Sequence, residues 1–221
     1  MSSDTQRTSR LNLHYREFLL TQDADAFQRA VTERFTIGTL ERLAVAGRRE
    51  TRRAAVFALG LLGDYSSNPV VGCALVDGDR GVRRLAEEGI VRLWQRCGTE
   101  PQQNRLAQII RQLANRQYEA ALRQCDELLS QAPWYAEAWN QRAIAHYQLE
   151  QFEESIGDCH QALELNPYHF GAAAGMGQCY VHLGDFSAAL ECFRRALKLN
   201  PNLEGIRASV NYLERTLKEG K

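Results

Sequence analysis

The residues of this chain able to do chemistry are its thiols, its imidazoles and a cluster of arginines. Six cysteines, Cys73, Cys97, Cys125, Cys159, Cys179 and Cys192, are scattered along the chain, and none forms a CxxC pair. Cys179 and His182 stand three apart, and Cys159 adjoins His160. A metal centre needs about four converging ligands, whereas these thiols fall at interior positions of helical patterns. They read as buried core cysteines of a chain from a reducing compartment, with no metal and no cofactor. No Walker loop, GxGxxG, HExxH or GxSxG occurs, so no catalytic residue is assigned and no enzyme is expected. The arginines Arg48, Arg49, Arg52 and Arg53 are extended by Arg83, Arg84 and Arg92. They could hold phosphates. Glu41, Glu50, Asp77, Asp79, Glu87 and Glu88 are interleaved with them. A solvated face or a structural ladder is therefore the leading reading, and an anion or nucleic-acid surface the alternative.

The chain that must position these groups has 221 residues, 44% of them hydrophobic, enough for one large core or two small ones. Lys+Arg and Asp+Glu both number 27, a balance that argues against a general polyanion binder. The only lysines are Lys198, Lys218 and Lys221. That arginine bias suggests GC-rich coding and a bacterial source. Residues 1–10 are polar with no apolar run, so they read as disordered rather than as a signal peptide. No stretch approaches the ~18 apolar residues that span a bilayer. The expected compartment is the cytoplasm, with no membrane insertion.

Three prolines expose a repeat. Pro133, Pro167 and Pro201 are spaced by 34, and similar segments precede them: CDELLSQAP, CHQALELNP and CFRRALKLNP. In the windows 102–135, 136–169 and 170–203, equivalent positions hold Tyr118, Phe152 and Phe186, and then Ala121, Ser155 and Ala189. Small residues let two helices approach closely, and proline ends each hairpin. Trp139, Ala143, Phe152, Ala162 and Pro167 in the second window resemble the tetratricopeptide repeat, as do Gly177, Tyr180, Phe186, Ala189, Phe193, Ala196 and Pro201 in the third. The first window is divergent, with Ile109 and Leu128 where small residues are usual. Residues 204–221 form a last helix: Ile206, Val210, Leu213 and Leu217 share one face, and Glu204, Arg207, Asn211, Glu214 and Lys218 the other. Such a helix caps an array.

A second repeat lies upstream. TRRAAVFALGLLGD (51–64) aligns with VRRLAEEGIVRLWQ (82–95) at an offset of 31, and each is preceded by a short apolar helix candidate, 39–46 and 68–76. The pattern resembles HEAT-like repeats of the short bacterial kind. Asp79, Val82 and Arg83 match it well, and Glu50, Thr51 and Arg52 match it in part. The resemblance implies that such an arginine pairs with an acidic residue of the neighbouring repeat. Residues 11–20 and 23–35 read as two helices capping the array. The expected architecture is all-α: an α-solenoid with a HEAT-like array over 11–97, a short joint at 98–101, three tetratricopeptide hairpins over 102–203 and a capping helix.

Function then falls to the concave face. Each helical residue advances ~100°, which separates the packing positions of each first helix from an opposite set. That set is Leu106, Ile110, Leu113 and Ala114 in the first repeat. The second supplies Glu137, Asn140, Ile144, Tyr147 and Gln148, and the third Gly171, Ala174, Gln178, Val181 and His182. Aliphatic patches and Tyr147 suit a partner's apolar side chains, and the amides of Asn140 and Gln178 suit its backbone. Chaperone-binding members of the family grip a C-terminal carboxylate with lysine, asparagine and arginine at set positions. Here those positions hold Leu106, Ile110, Gln141, Gly171 and Gly175, so such a carboxylate is not the expected partner. The expected function is a non-catalytic adaptor or scaffold that binds a protein or peptide. The alternatives are nucleic-acid or anion binding through the arginines, and a role as accessory subunit to an enzyme, since some short HEAT-like proteins are associated with attaching pigments to other proteins.

Overall fold

The computed structural model describes residues 3–219, in which every regular element is helical. Two compact units divide at Arg96 and Cys97.

The first unit holds α1 (Ser3–Thr21), α2 (Ala24–Thr32), α3 (Ile37–Ala46), α4 (Arg49–Leu62), a 3-10 turn (Tyr65–Ser67), α5 (Asn68–Ala74) and α6 (Arg80–Gln95). Helix starts follow local chemistry. Asp23 accepts from the Ala26 N–H, Thr36 from Thr39 and Asp79 from Val82, each satisfying a backbone donor left open by helix geometry. Helices α4 and α6 cross at two glycines. A Cβ added to Gly60 would lie 2.7 Å from the Gly89 Cα, so only glycine permits this approach. Beside the crossing, the Arg96 guanidinium donates to the carbonyls of Gly60, Leu61 and Gly63 and closes the C-terminal end of α4. Tyr15, Phe18, Phe27 and Phe57 pack together, with Phe18 and Phe57 ring centroids 4.3 Å apart. Of the N-terminal segment expected to be disordered, Met1 and Ser2 lie outside the described residues, and the backbone is helical from Ser3. No proline or glycine interrupts 3–21, so a helix nucleated on the packed half of α1 can extend backwards.

The second unit is a run of hairpins: α7 (Glu100–Ala114) with α8 (Tyr118–Gln131), α9 (Ala136–Gln148) with α10 (Phe152–Leu165), α11 (Phe170–His182) with α12 (Phe186–Leu199), and then α13 (Glu204–Glu219). Its hairpins form an α-solenoid. Each intra-hairpin turn passes through one left-handed residue, at Arg116 (φ 60°), Glu150 (φ 61°) and Gly184 (φ 78°), three equivalent positions of the 34-residue period. Only the third is the residue this conformation favours.

The core of this unit explains why the first repeat can diverge. In the third repeat Gly177 lies under Phe193, and a Cβ there would stand 2.6 Å from the ring. The equivalent pairs are Ala143 with Cys159, which share one core cluster, and Ile109 with Cys125, which share another. Volume is traded directly in the third repeat, where glycine stands under phenylalanine; in the other two a cysteine shares its cluster with alanine or with isoleucine. Close packing is kept although neither column is uniform.

Candidate binding groove

Helices α9 and α11 present their groove-side residues in two zones. Near their N-terminal ends the face is closed by a polar network. The Glu137 carboxylate, 4% exposed, accepts from Gln141 Nε2 at 2.5 Å and from Asn140 Nδ2 at 3.4 Å. It also lies 2.9 Å from His169 Nε2. His169 Nδ1 meets the Ala172 N–H at 3.1 Å as the N-cap of α11. A ring nitrogen that accepts a backbone N–H leaves the other to carry the proton, so His169 Nε2 donates to Glu137. Buried polar groups need such partners. Glu137 is thus part of the join between two repeats, and the groove role expected of it from its helical position is not what its surroundings show. Asn140 is buried beside it.

Leu106 departs in the same way. It is 1% exposed and packs with Ile109, Cys125 and Leu128. Helix α7 contacts both α8 and α9, so its residues face protein on two sides. Ile110 and Leu113 are partly buried against the same cluster, while Ala114 is exposed. Gly171 sits against the His169 ring, and Ala174 is half-buried.

Towards the C-terminal ends of α9 and α11 the face opens. Ile144 is 39% exposed, Val181 is 37% exposed, and Gln148, Gln178 and His182 are exposed. Tyr147 Oη and His182 Nε2 lie 2.9 Å apart. The His182 ring stacks on Phe152, with centroids 4.6 Å apart and 12° between planes, and Tyr147 meets both rings edge-on. Three aromatic side chains from α9, α10 and α11 thereby fix one another. A pocket of about 440 Å³ lies beside them, between Tyr147, Gln178, Val181 and His182 on one side and Ala208, Ser209 and Tyr212 of α13 on the other. Buried Phe193 and Leu213 form its floor. The α13 wall was not among the residues expected from sequence. Its signal was Tyr212, a large aromatic in a helix otherwise split into apolar and charged faces.

Sequence reasoning also missed Arg142. Its guanidinium forms a paired bond with Asp158 at 2.7 and 2.8 Å, reaches Asp126 at 2.7 Å, and lies over the Trp139 ring at 4.6 Å. The hydrogen bond to Asp158 holds its pKa above the ordinary arginine value. One side chain of α9 thereby ties α8 and α10 together.

Of the six cysteines read as core thiols, Cys125, Cys159 and Cys179 are buried, Cys97 and Cys192 are partly buried, and Cys73 is exposed on α5. Cys125 and Cys159 are buried, and burial pushes both thiols up to about 12. Cys179 Sγ donates to Ser155 Oγ at 3.2 Å, while His182 faces Tyr147 and Phe152. Among the described residues no three of His, Cys, Asp and Glu converge as a metal would require.

In the first unit Arg52 makes a paired bond to Asp77 at 2.7 and 2.8 Å, and Arg53 makes another to Asp79 at 2.7 and 2.8 Å. The Arg53 hydrogen bond holds the Asp79 carboxyl down at about 2. Arg83 donates to the carbonyls of Asp77 and Gly78, and Arg52 to that of Gly47, an equivalent bond at the 31-residue offset. Arg48 and Arg49 are exposed, and Arg84 lies 4.0 Å from Glu88 on the same helix.

Residues 136–169 and 172–203 match the family model of the tetratricopeptide repeat. The C-terminal half of the chain carries tetratricopeptide repeats. The similar solved structures include the first tetratricopeptide domain of Spaghetti (RPAP3) bound to the HSP90 peptide SRMEEVD, with a TM-score of 0.52 at 19% identity over 55% of this chain and 96% of that one. The tetratricopeptide domain of Sgt2 from Aspergillus fumigatus has a TM-score of 0.52 at 19% identity, over 55% and 82%. The TPR2B domain of yeast Sti1 in complex with an Hsp70 peptide has a TM-score of 0.50 at 18% identity, over 53% and 99%. At these identities the likeness is one of fold. No curated protein matches the chain. No helix among the described residues is long and apolar enough to cross a membrane.

Proposed function

We propose that this protein is a non-catalytic cytoplasmic adaptor whose tetratricopeptide unit binds a segment of a partner protein along the open ends of α9 and α11. The observation that carries this reading is the open apolar pocket between those helices and α13, with Val181 exposed in its wall and Ile144 exposed on α9 beyond it. Exposed apolar surface gathered in a concavity is the usual mark of a binding site. Tetratricopeptide repeats support the same class of function, since two of the fold neighbours are complexes with chaperone peptides. A chaperone carboxylate is not the ligand proposed here. The matching positions Leu106, Ile110, Gln141, Gly171 and Gly175 carry no cation, and Gln141 is engaged with Glu137. The first unit reads as the HEAT-like part of the scaffold. Arg52 and Arg53 are neutralised by Asp77 and Asp79, which counts against nucleic acid as the partner.

The test is selection of displayed peptides on the full-length chain, followed by titration of synthetic winners against wild type and Ile144→Glu. At least tenfold weaker binding to Ile144→Glu is expected. Winners that bind both proteins equally would place the site elsewhere.

A further inference from the structure

Resting on the adaptor reading, we propose that the pocket walled by α13 takes an aromatic side chain from an uncharged segment of the partner protein. Tyr147, Gln178, Val181, His182, Ala208 and Tyr212 surround the space, and among the described residues no carboxylate, guanidinium or ammonium group lines it. Helix α11 carries no Asp, Glu, Lys or Arg along its whole length. Several charges of the neighbouring helices are engaged elsewhere: Glu137 with His169, Arg142 with Asp126 and Asp158, Arg207 with the Pro201 carbonyl, and Glu214 with Arg194. A charged side chain entering here would lose its water and meet no counter-charge. The complement of such a lining is itself uncharged.

Shape and chemistry then select the side chain. The floor is Phe193 and Leu213, and the walls add the rings of Tyr147, His182 and Tyr212. About 440 Å³ accommodates a whole aromatic ring with its neighbours, and ring edges and faces on several sides favour another ring. The Gln178 amide and the Tyr147–His182 pair form a polar rim able to bond an entering backbone. Ile144, one helical turn before Tyr147 on the same face, extends the apolar strip beyond the pocket. That length suits a polypeptide segment rather than a small molecule.

Methyl-labelled full-length protein is titrated with indole, and with acetylated, amidated alanine-rich peptides bearing one central Trp, Leu or Asp. Saturable shifts of the Val181 and Ala208 methyls are expected with indole and with the Trp peptide. The Trp peptide should bind at least fivefold tighter than the Leu or Asp peptide. Ala208→Trp, which fills the pocket, should abolish its binding, and Tyr212→Ala should weaken it; melting curves show that both variants fold. Equal binding of the Asp peptide, no saturable shift with the Trp peptide, or binding unchanged by both variants would overturn the proposal. Indole binding without binding of any peptide would overturn it in favour of a small apolar ligand. Selected peptides weakened by Ile144→Glu but not by Ala208→Trp would leave the adaptor reading standing and remove this one.

Discussion

The Tyr147 hydroxyl and the His182 Nε2, 2.9 Å apart on neighbouring repeats, make one side of the groove a fixed wall. Phe152 supports it from beneath, stacked on the imidazole. The hydrogen bond itself is exposed and is worth ~1 kcal/mol or less. Tyr147→Phe should therefore leave thermal stability nearly unchanged. Phe152→Ala removes the ring that both others touch and should cost about 2–3 kcal/mol in urea unfolding. If Tyr147→Phe costs as much as Phe152→Ala, the hydroxyl rather than the stack holds the wall.

The trade of volume between Gly177 and Phe193 predicts a rescue. Gly177→Ala places a methyl against the ring and should destabilise by about 1–3 kcal/mol. Phe193→Leu alone leaves a cavity and also destabilises. In the double variant the smaller side chain makes room, so the two effects should fall short of additivity by ~1 kcal/mol. Urea midpoints of the four proteins decide this, and strict additivity would show that the two sites do not share space.

This pairing also shows what was legible in the sequence. The 34-residue period could be read from Pro133, Pro167 and Pro201 because a helix stop acts locally. Ile109 departs from the small residue usual in its column, yet it is fully buried in a cluster with Leu106, Cys125 and Leu128, which no single column shows. The groove face was assigned from helical angle alone, and of its residues Tyr147, Val181 and His182 line the open pocket. It misled at Glu137, which His169 covers from the start of α11, and at Leu106, which is buried in the cluster with Ile109, Cys125 and Leu128. The wall supplied by α13 escaped notice for the same reason: its amphipathic pattern shows what it buries, and not what lies beside Tyr212.

The left-handed turns offer a gain in stability. Arg116 and Glu150 adopt positive φ where the third repeat has Gly184. A side chain there carries a steric cost that glycine avoids, offset in part by the greater freedom of glycine in the unfolded chain. Glu150→Gly should raise stability by about 0.5–1 kcal/mol, seen as an upward shift in Tm. Arg116→Gly should act alike. A fall in Tm for both would mean that these side chains make contacts worth more than the strain.

The Arg53–Asp79 pair sets an acid limit on the first unit. The folded-state pKa of Asp79, about 2, lies below its ordinary value of 3.8. Its contribution is therefore present above the ordinary value and lost as pH falls through the folded one. With allowance for solvent screening at the half-exposed arginine, that contribution is ~1 kcal/mol. Asp79→Asn should be less stable than wild type by about this amount at pH 6, and the gap should close between pH 4 and about 2. Urea unfolding across that range checks the sign, and a gap that stays constant would detach Asp79 from the acid response.

The crossing of α4 and α6 gives the sharpest expectation for the first unit. A Cβ on Gly60 would lie 2.7 Å from the Gly89 Cα, and one on Gly89 would lie 3.0 Å from the Gly60 Cα. The obstacle is backbone, which cannot rotate away as a side chain can. Gly60→Ala must therefore separate the two helices, and this also pulls the carbonyls of Gly60, Leu61 and Gly63 from Arg96. Helix propensity alone would favour the alanine by ~1 kcal/mol. Overpacking and lost hydrogen bonds of about 1–3 kcal/mol each should outweigh it. Gly60→Ala is expected to lower stability by about 2–4 kcal/mol, whereas Gly38→Ala, where a Cβ meets nothing within 4 Å, should be neutral or slightly stabilising. If both alanines raise Tm alike, the helices are not in contact at Gly60 and Gly89.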